Sequence, residues 1–321
     1  MDMTELVTFG ETMLRLSPPG DERLETADQY AVRAAGAESN VAVAAQRLGV
    51  DAMWASKLPD SPVGRRVTGE LKHHGVSVDV AWDDSDSARQ GTYYLEQGSP
   101  PRGNDVIYDR QNASVTTATP AELPTEAIAD AAGFHTSGIT PALSETLEST
   151  TADLLSLAQD AGTTTSFDLN YRSKLWTPAE ARSVLTELFP SVDLLVVAER
   201  DANVVLDRTG DAETIARDLA AEYGFEATVI TRGSDGALAL ADGTVTEQPT
   251  FESTDAHPVG TGDSFVGGFL SQYLSGGTVA DGLAWGAATA ALKRTIPGDI
   301  AVVSPDEIRS ILSGDTEAIS R

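Results

Sequence analysis

The chain contains no cysteine. Disulfides, thiolate nucleophiles and cysteine-ligated zinc or iron–sulfur centres are therefore excluded. Histidine is almost as scarce. His73, His74, His135 and His257 are all there are, and none forms an HExxH or similar pair at ligand spacing, which argues against a structural transition-metal site. No apolar run reaches the roughly 18 residues of a membrane span, and the acidic first residues lack a basic n-region and an apolar h-region. Neither a membrane span nor a signal peptide is expected. Lysine is limited to Lys57, Lys72, Lys174 and Lys293, none of which follows a glycine, so no GxxxxGK[ST] phosphate loop exists. A GxSxG nucleophile elbow and an HRD-type kinase loop are missing too.

Acid is abundant by contrast. Asp and Glu number 49 against 22 Lys and Arg, a formal charge of −27, and the acids are spread along the chain rather than gathered in a tail. Self-repulsion of this size opposes a compact fold in dilute salt. At molar salt the Debye length falls to about 3 Å and the penalty largely vanishes. The composition is that of a cytoplasmic protein adapted to high salt, and such a surface repels nucleic-acid backbones, so no nucleic-acid partner is expected. With 321 residues and 41% apolar content the chain can bury a large core. No linker, repeat or composition shift marks a second domain. Residues 1–315 read as one domain and 316–321 as a frayed tail.

Strand and helix patterns alternate. Strands are expected at 6–9, 53–57, 133–139, 164–169, 193–197 and 228–231, with helices at 40–48, 63–74, 144–160, 178–188 and 212–223. This is the signature of an α/β fold, a mostly parallel sheet covered by helices on both faces, with ligands beyond the carboxyl ends of the strands. Two segments break the rhythm. Stretches 13–17 with 30–32, and 91–96 with 106–110, read as short antiparallel strands joined by Pro- and Gly-bearing turns, including the turn at 99–103. Together, within about 12–33 and 90–111, they form a small projecting β-sheet lid.

The most telling stretch is Gly260-Thr261-Gly262-Asp263, which opens the small-residue helix Ser264-Phe265-Val266-Gly267-Gly268. Glycines let backbone N–H groups converge on an anion, and the helix dipole adds to the attraction. A carboxylate placed there makes sense as a base that takes a proton from an attacking hydroxyl. A glycine turn that merely caps a helix reads the same way. Four further motifs could join this one. Gly36 with Asn40 precedes another small-residue helix, where backbone can approach a ligand and an amide can meet a hydroxyl, or where Ser39 or Asn40 simply caps. Asp168, Asn170 and Arg172 follow a strand and share one face by period two, and the guanidinium suits an anion or a structural pair with Asp168. Tyr108 and Arg110, with Tyr93 on the neighbouring strand, put a second cation toward the same ligand or toward solvent. Two arginines at one site point to a substrate carboxylate. Finally Thr231-Arg232-Gly233-Ser234-Asp235-Gly236 is a Gly-rich turn suited to a nucleotide phosphate tail and also to a hairpin into 238–240.

Gly36…Asn40 and Gly260-Thr261-Gly262-Asp263, about 220 residues apart, resemble the two signatures of the ribokinase-like (PfkB) carbohydrate kinases. Phe9-Gly10-Glu11-Thr12-Met13-Leu14, the stretch Asp168 to Trp176, His135-Thr136-Ser137-Gly138-Ile139-Thr140 and Gly298-Asp299-Ile300 are similar to the 2-keto-3-deoxygluconate kinase branch. The resemblance implies a Rossmann-like α/β/α sandwich with a β lid that joins a homo-oligomer. It implies Asp263 as the base, Gly260, Thr261 and Gly262 as the anion hole, and Gly36, Asn40, Tyr93, Tyr108, Arg110, Asn170, Arg172 and Asp299 around the substrate. Thr231, Gly233 and Gly236, with Gly260 and Gly262, fall on the ATP side. The implied reaction is ATP- and Mg²⁺-dependent phosphorylation of 2-keto-3-deoxygluconate at its terminal hydroxyl. Its galactonate epimer, a neutral sugar such as fructose or ribose, and an idle sugar- or nucleotide-binding protein on the same fold are the alternatives.

Three departures from the family pattern stand out. The aspartate three residues before Gly260, tied in the family to a monovalent cation, is His257 here, with Asp255 two residues earlier; this leaves the cation open. The Asn-x-x-Glu element linked to magnesium reads Ala198-Glu199-Arg200-Asp201, leaving Asp201 as the candidate acid for an ATP-bound Mg²⁺. Thr261 replaces the commoner alanine without changing the backbone donors.

Overall fold

The computed structural model describes residues 4–98, 101–253 and 257–314. Part of the expected 99–103 turn, Asp255 and the 316–321 tail lie outside the described residues. In chain order the elements begin β1 (Leu6–Phe9), β2 (Met13–Ser17), β3 (Ala31–Ala35), α1 (Ala37–Arg47), β4 (Ala52–Pro59), α2 (Pro62–His73), β5 (Ser77–Asp83), β6 (Thr92–Glu96) and β7 (Asp105–Asp109). They continue with α3 (Thr125–Asp130), β8 (Gly133–Ser137), α4 (Glu145–Ala161), β9 (Thr164–Asp168), α5 (Pro178–Leu188), β10 (Leu194–Ala198), α6 (Glu199–Val204), α7 (Ala212–Tyr223) and β11 (Ala227–Thr231). Then follow β12 (Ala237–Ala241), β13 (Thr244–Gln248), α8 (Thr261–Tyr273), α9 (Val279–Lys293) and α10 (Pro305–Ser313).

Nine strands form one sheet in the order β13-β12-β11-β10-β9-β8-β1-β4-β5. It is parallel from β11 to β5, and β12 and β13 are antiparallel additions at one edge. Strand alternation sorts the apolar side chains onto two faces. On β10, Leu194 and Val196 join one core while Leu195 and Val197 join the other. The core of Leu195 and Val197 carries Leu154 of α4, Leu185 of α5 and Ile215 of α7; that of Leu194 and Val196 carries Val43 of α1, Val67 of α2, Phe269 of α8 and Leu283 of α9. The result is a three-layer α/β/α sandwich. Local signals set the helix ends: α5, α9 and α10 open with capping boxes (Thr177/Glu180, Thr278/Asp281, Ser304/Glu307), and α4 stops at left-handed Gly162.

The lid is a four-stranded sheet, β3-β2-β6-β7. Its two hairpins are antiparallel as expected, but the middle pair β2–β6 is parallel. Residues 18–91 explain this: both β2 and β6 leave the main body in the same direction, with β4, α2 and β5 inserted between them. Two further expectations change. Helix α1 starts at Ala37, so Asn40 lies inside its first turn and neither Ser39 nor Asn40 caps it; Gly36 is the N-cap, without a side-chain bond. Strand β9 ends at Asp168, and Asn170 takes a left-handed backbone (φ 40°). Asp168, Asn170 and Arg172 therefore meet through a turn rather than by strand period two.

Candidate active site

The site begins with small residues. In α8, a Cβ on Gly267 would lie 2.5 Å from the Ala44 Cβ and 2.7 Å from the Val41 carbonyl. Only glycine lets α1 and α8 approach so closely. That approach brings the first turns of the two helices together, and Asn40 Nδ2 donates to Asp263 Oδ2 at 2.7 Å. Residues 223 apart in sequence thus form one hydrogen-bonded pair. Neither caps a helix; both face a cavity of about 440 Å³.

Gly260 is the N-cap of α8, with φ 81° and no side-chain cap. The first-turn N–H groups have no acceptor within the helix; Thr261 N–H turns back to the Pro258 carbonyl, and those of Gly262 and Asp263 have no backbone acceptor among the described residues, which leaves them able to meet an anion. The two glycines differ in their reasons. A Cβ on Gly260 would come within 2.0 Å of the Asp299 carbonyl, whereas one on Gly262 would meet nothing within 4 Å. Gly260→Ala is expected to destabilise the fold by about 2–4 kcal/mol through overlap and left-handed strain. Gly262→Ala is expected to keep or slightly raise the melting temperature, as helix propensity favours, yet to lose turnover, because its methyl would crowd an anion held at the helix N-terminus. Thermal melts and initial rates of the two variants check this contrast.

The cavity collects Gly36, Asn40, Tyr93, Tyr108, Arg110, Asn170, Arg172, Asp299 and the 260–263 turn, together with Asp168 and Asp201. All eight substrate-side residues expected from sequence therefore line one space. Their conditions were not legible. Gly36 is required first for packing, since a Cβ there would be 2.2 Å from the Glu11 carbonyl. Arg110 is already paired, its guanidinium donating to the buried carboxylate of Glu11. Asp299 forms a buried ion pair with Arg15 at 2.7 Å and accepts from the Tyr93 hydroxyl at 3.4 Å. Arg172 donates to the Tyr171 carbonyl and makes no ion pair among the described residues. It is the cation of the cavity without a carboxylate partner. Lys174 fastens the same loop to the lid, donating to the Val106 carbonyl at 2.7 Å with its ammonium 5.7 Å from the Tyr108 ring centre.

Asp263 and Asp168, which line the cavity, and Glu38, buried near Asp263, are held above their ordinary range, each mainly by burial. Asp263 is pushed up to about 6, with the Asn40 hydrogen bond and the Arg172 charge pulling the other way. Asp168 is pushed up to about 7, with Asp263 adding to the rise. Glu38, which accepts from Ser137 Oγ (2.6 Å) and Thr140 Oγ1 (2.8 Å), also reaches about 7. A carboxylate near 6 at a helix N-terminus can take a proton from a hydroxyl near neutral pH and return it to water.

A second cavity, of about 510 Å³, lies on the other side of the turn. It is lined by Thr231, Gly233 and Gly236, by Phe251, Ala287, Ala290 and Ala291, and it shares Thr231, Thr261 and Gly262 with the first. Gly236, at φ 87°, serves the β11–β12 turn, where a Cβ would strike the Gln248 carbonyl at 2.1 Å. The hairpin and the cavity wall are thus the same feature. The apolar wall from α9 and Phe251 escaped the sequence reading, because alanines on a helix carry no ligand signal. No group of three acidic or histidine side chains that could hold a metal is present among the described residues. Asp201, a buried carboxylate in the first cavity that already accepts from Arg200 Nε at 2.9 Å, is the acid that could meet a magnesium ion carried in on a nucleotide.

Two cavities meeting at a helix N-terminus, with a buried carboxyl of raised pKa on one side, are an arrangement that a phosphotransferase could use to move a phosphoryl group between their occupants. The chain belongs to the pfkB family of carbohydrate kinases, whose family model matches residues 3–306. It is 62% identical over 317 residues to a 2-dehydro-3-deoxygalactonokinase of the halophile Haloferax volcanii, covering 99% of each chain. It is 31% identical over 320 residues to a 2-dehydro-3-deoxygluconokinase of Bacillus subtilis, covering 96% of this chain and 95% of the relative. The crystal structure of 2-dehydro-3-deoxygluconokinase from Thermotoga maritima superposes with a TM-score of 0.91 at 35% identity, over 97% and 99% of the two chains. The protein is a sugar-acid kinase of this family.

Proposed function

We propose that the protein transfers the γ-phosphoryl group of ATP to the terminal hydroxyl of a 2-keto-3-deoxy sugar acid, with the galactonate epimer as its preferred substrate and the gluconate epimer second. The observation that carries the sugar-acid reading is Arg172. It is a cavity cation with no ion pair among the described residues, and its charge reaches both Asp263 and Asp168. A substrate with a carboxylate for Arg172 and a hydroxyl for Asp263 would engage both of these cavity-lining residues. Arg110 can add a second contact only by sharing its bond to Glu11. The order of the epimers reverses the sequence-based expectation. It rests on the 62% identity to a kinase named for the galactonate compound, against 31% and 35% to those named for gluconate.

In this reading Asn40 orients Asp263, and Asp263 accepts the proton of the terminal hydroxyl as its oxygen attacks the γ-phosphorus. The N–H groups of Gly262 and Asp263 stabilise the charge on the transferring group, and ADP leaves toward the second cavity. Mg²⁺ supplies charge neutralisation on the phosphates when bound. The acid-rich surface suits work in a salt-loaded cytoplasm. Steady-state kinetics with the two epimers tests the substrate order: kcat/KM for 2-keto-3-deoxygalactonate is expected to exceed that for 2-keto-3-deoxygluconate. A gluconate preference overturns that order but leaves the sugar-acid kinase intact.

A further inference from the structure

Lys293 is one of four lysines in the chain, and its side chain is fully buried. A lysine is rarely taken out of water without a carboxylate partner. This one, at the end of α9, has none within ion-pair distance among the described residues. Its ammonium donates to two backbone carbonyls, His257 at 3.2 Å and Ile296 at 3.1 Å. Each carbonyl lies three residues before a site element, His257 before Gly260 and Ile296 before Asp299. The two loops touch just beyond, where the Gly260 Cα packs on the Asp299 carbonyl, and His257 N–H also binds the Arg294 carbonyl. Asp299 and Asp263 are the acids whose fields favour the charged ammonium; Arg15 opposes it, and burial draws its pKa down to about 8.

We infer that Lys293 is a positioning residue that serves as a built-in cation behind the anion-binding turn, clamping the 257–260 and 296–299 loops by their carbonyls and leaving the enzyme independent of an exogenous monovalent cation. The residues present do not fit a bound monovalent ion there. A histidine stands where the family's cation-linked aspartate would be, and the His257 carbonyl already accepts from an ammonium. A hard cation among carbonyl oxygens does two things for such a site: it fixes the backbone, and it places positive charge behind N–H groups that must meet phosphate. A tethered ammonium does both with no binding equilibrium.

The inference rests on the kinase activity proposed above, so the test includes a readout that does not. Initial rates and melting temperatures of the wild type are measured in molar KCl and in choline chloride of equal ionic strength. The wild-type rate is expected to differ by less than about twofold between the salts. Lys293→Ala is expected to lower kcat by about 10- to 100-fold with a smaller change in sugar KM. Ammonium or potassium ions, but not choline, then restore part of the rate and raise the variant's melting temperature, because they fit the space the side chain leaves. Lys293→Met fills that space without charge and gains nothing from either ion. A wild type activated about tenfold or more by potassium over choline overturns the inference even if no variant folds. So does a Lys293→Met enzyme with wild-type kcat, or a Lys293→Ala loss that every salt, or none, repairs. A wild type that turns over no sugar acid counts against the kinase proposal instead, and the melting temperatures still decide the cation role.

Discussion

Asp263→Asn is expected to lower kcat by about 10²- to 10⁴-fold, the span of a positioned general base, while changing the KM for sugar and ATP little. The amide keeps the shape of the side chain and an oxygen for the Asn40 Nδ2 donor, so geometry survives and basicity does not. The same substitution moves stability in the opposite direction. Burial holds the folded-state pKa at about 6, above the unfolded value near 4, so the fold favours the protonated carboxyl. The contribution of that preference is complete below the unfolded pKa and is lost as pH rises through about 6. At pH 8 the Asn variant is therefore expected to be more stable than wild type by about 3 kcal/mol, and to lose most of that advantage by pH 4. Rates and melting curves across pH check both halves. Wild-type turnover should also fall on the acid side of about pH 6 as Asp263 takes up a proton. A variant with near-wild-type kcat would remove Asp263 from the chemistry.

Arg172→Ala is expected to lower kcat/KM for a 2-keto-3-deoxy acid by about 10- to 100-fold, the loss of one charge-assisted, two-pronged contact. Whatever slow turnover exists on neutral sugars should not change. Because the Arg172 charge also draws down the Asp263 pKa, the acid limb of the rate profile should shift to higher pH in the variant. Arg172→Lys restores the limb more than the affinity, since an ammonium carries the charge but not the planar fork. Equal losses on acids and neutral sugars would turn Arg172 into a structural residue of its loop and weaken the carboxylate reading.

The parts of this site that the sequence announced are those with local signatures. The Gly260–Asp263 turn announces itself through two glycines before an acid at a helix start, and Thr231 to Gly236 through a strand running into glycines. The parallel sheet follows from alternation, because each strand and helix is recognised within its own window. What stayed hidden depends on distant partners. Arg15 reads as an odd charge in Met13-Leu14-Arg15-Leu16, and nothing nearby announces Asp299, 284 positions on. Glu11 looks like an exposed acid until it meets Arg110. Glu38 and the Ser137 and Thr140 hydroxyls belong to two separately noticed motifs whose junction only the fold makes. The parallel pairing of β2 with β6 was missed because strand direction depends on the 18–91 insertion, not on either strand's sequence.

In the proposed reaction Asp263 takes the proton of the acceptor hydroxyl and Arg172 holds the acceptor carboxylate. That reaction is tested most directly by ADP release from the purified protein in molar KCl with Mg-ATP. Both 2-keto-3-deoxy acids, gluconate, fructose and ribose are each offered as acceptor. Turnover confined to the keto-deoxy acids is the predicted result. Faster turnover on fructose or ribose would contradict the role of Arg172, and release of ADP with none of them would contradict the proposed acceptor altogether.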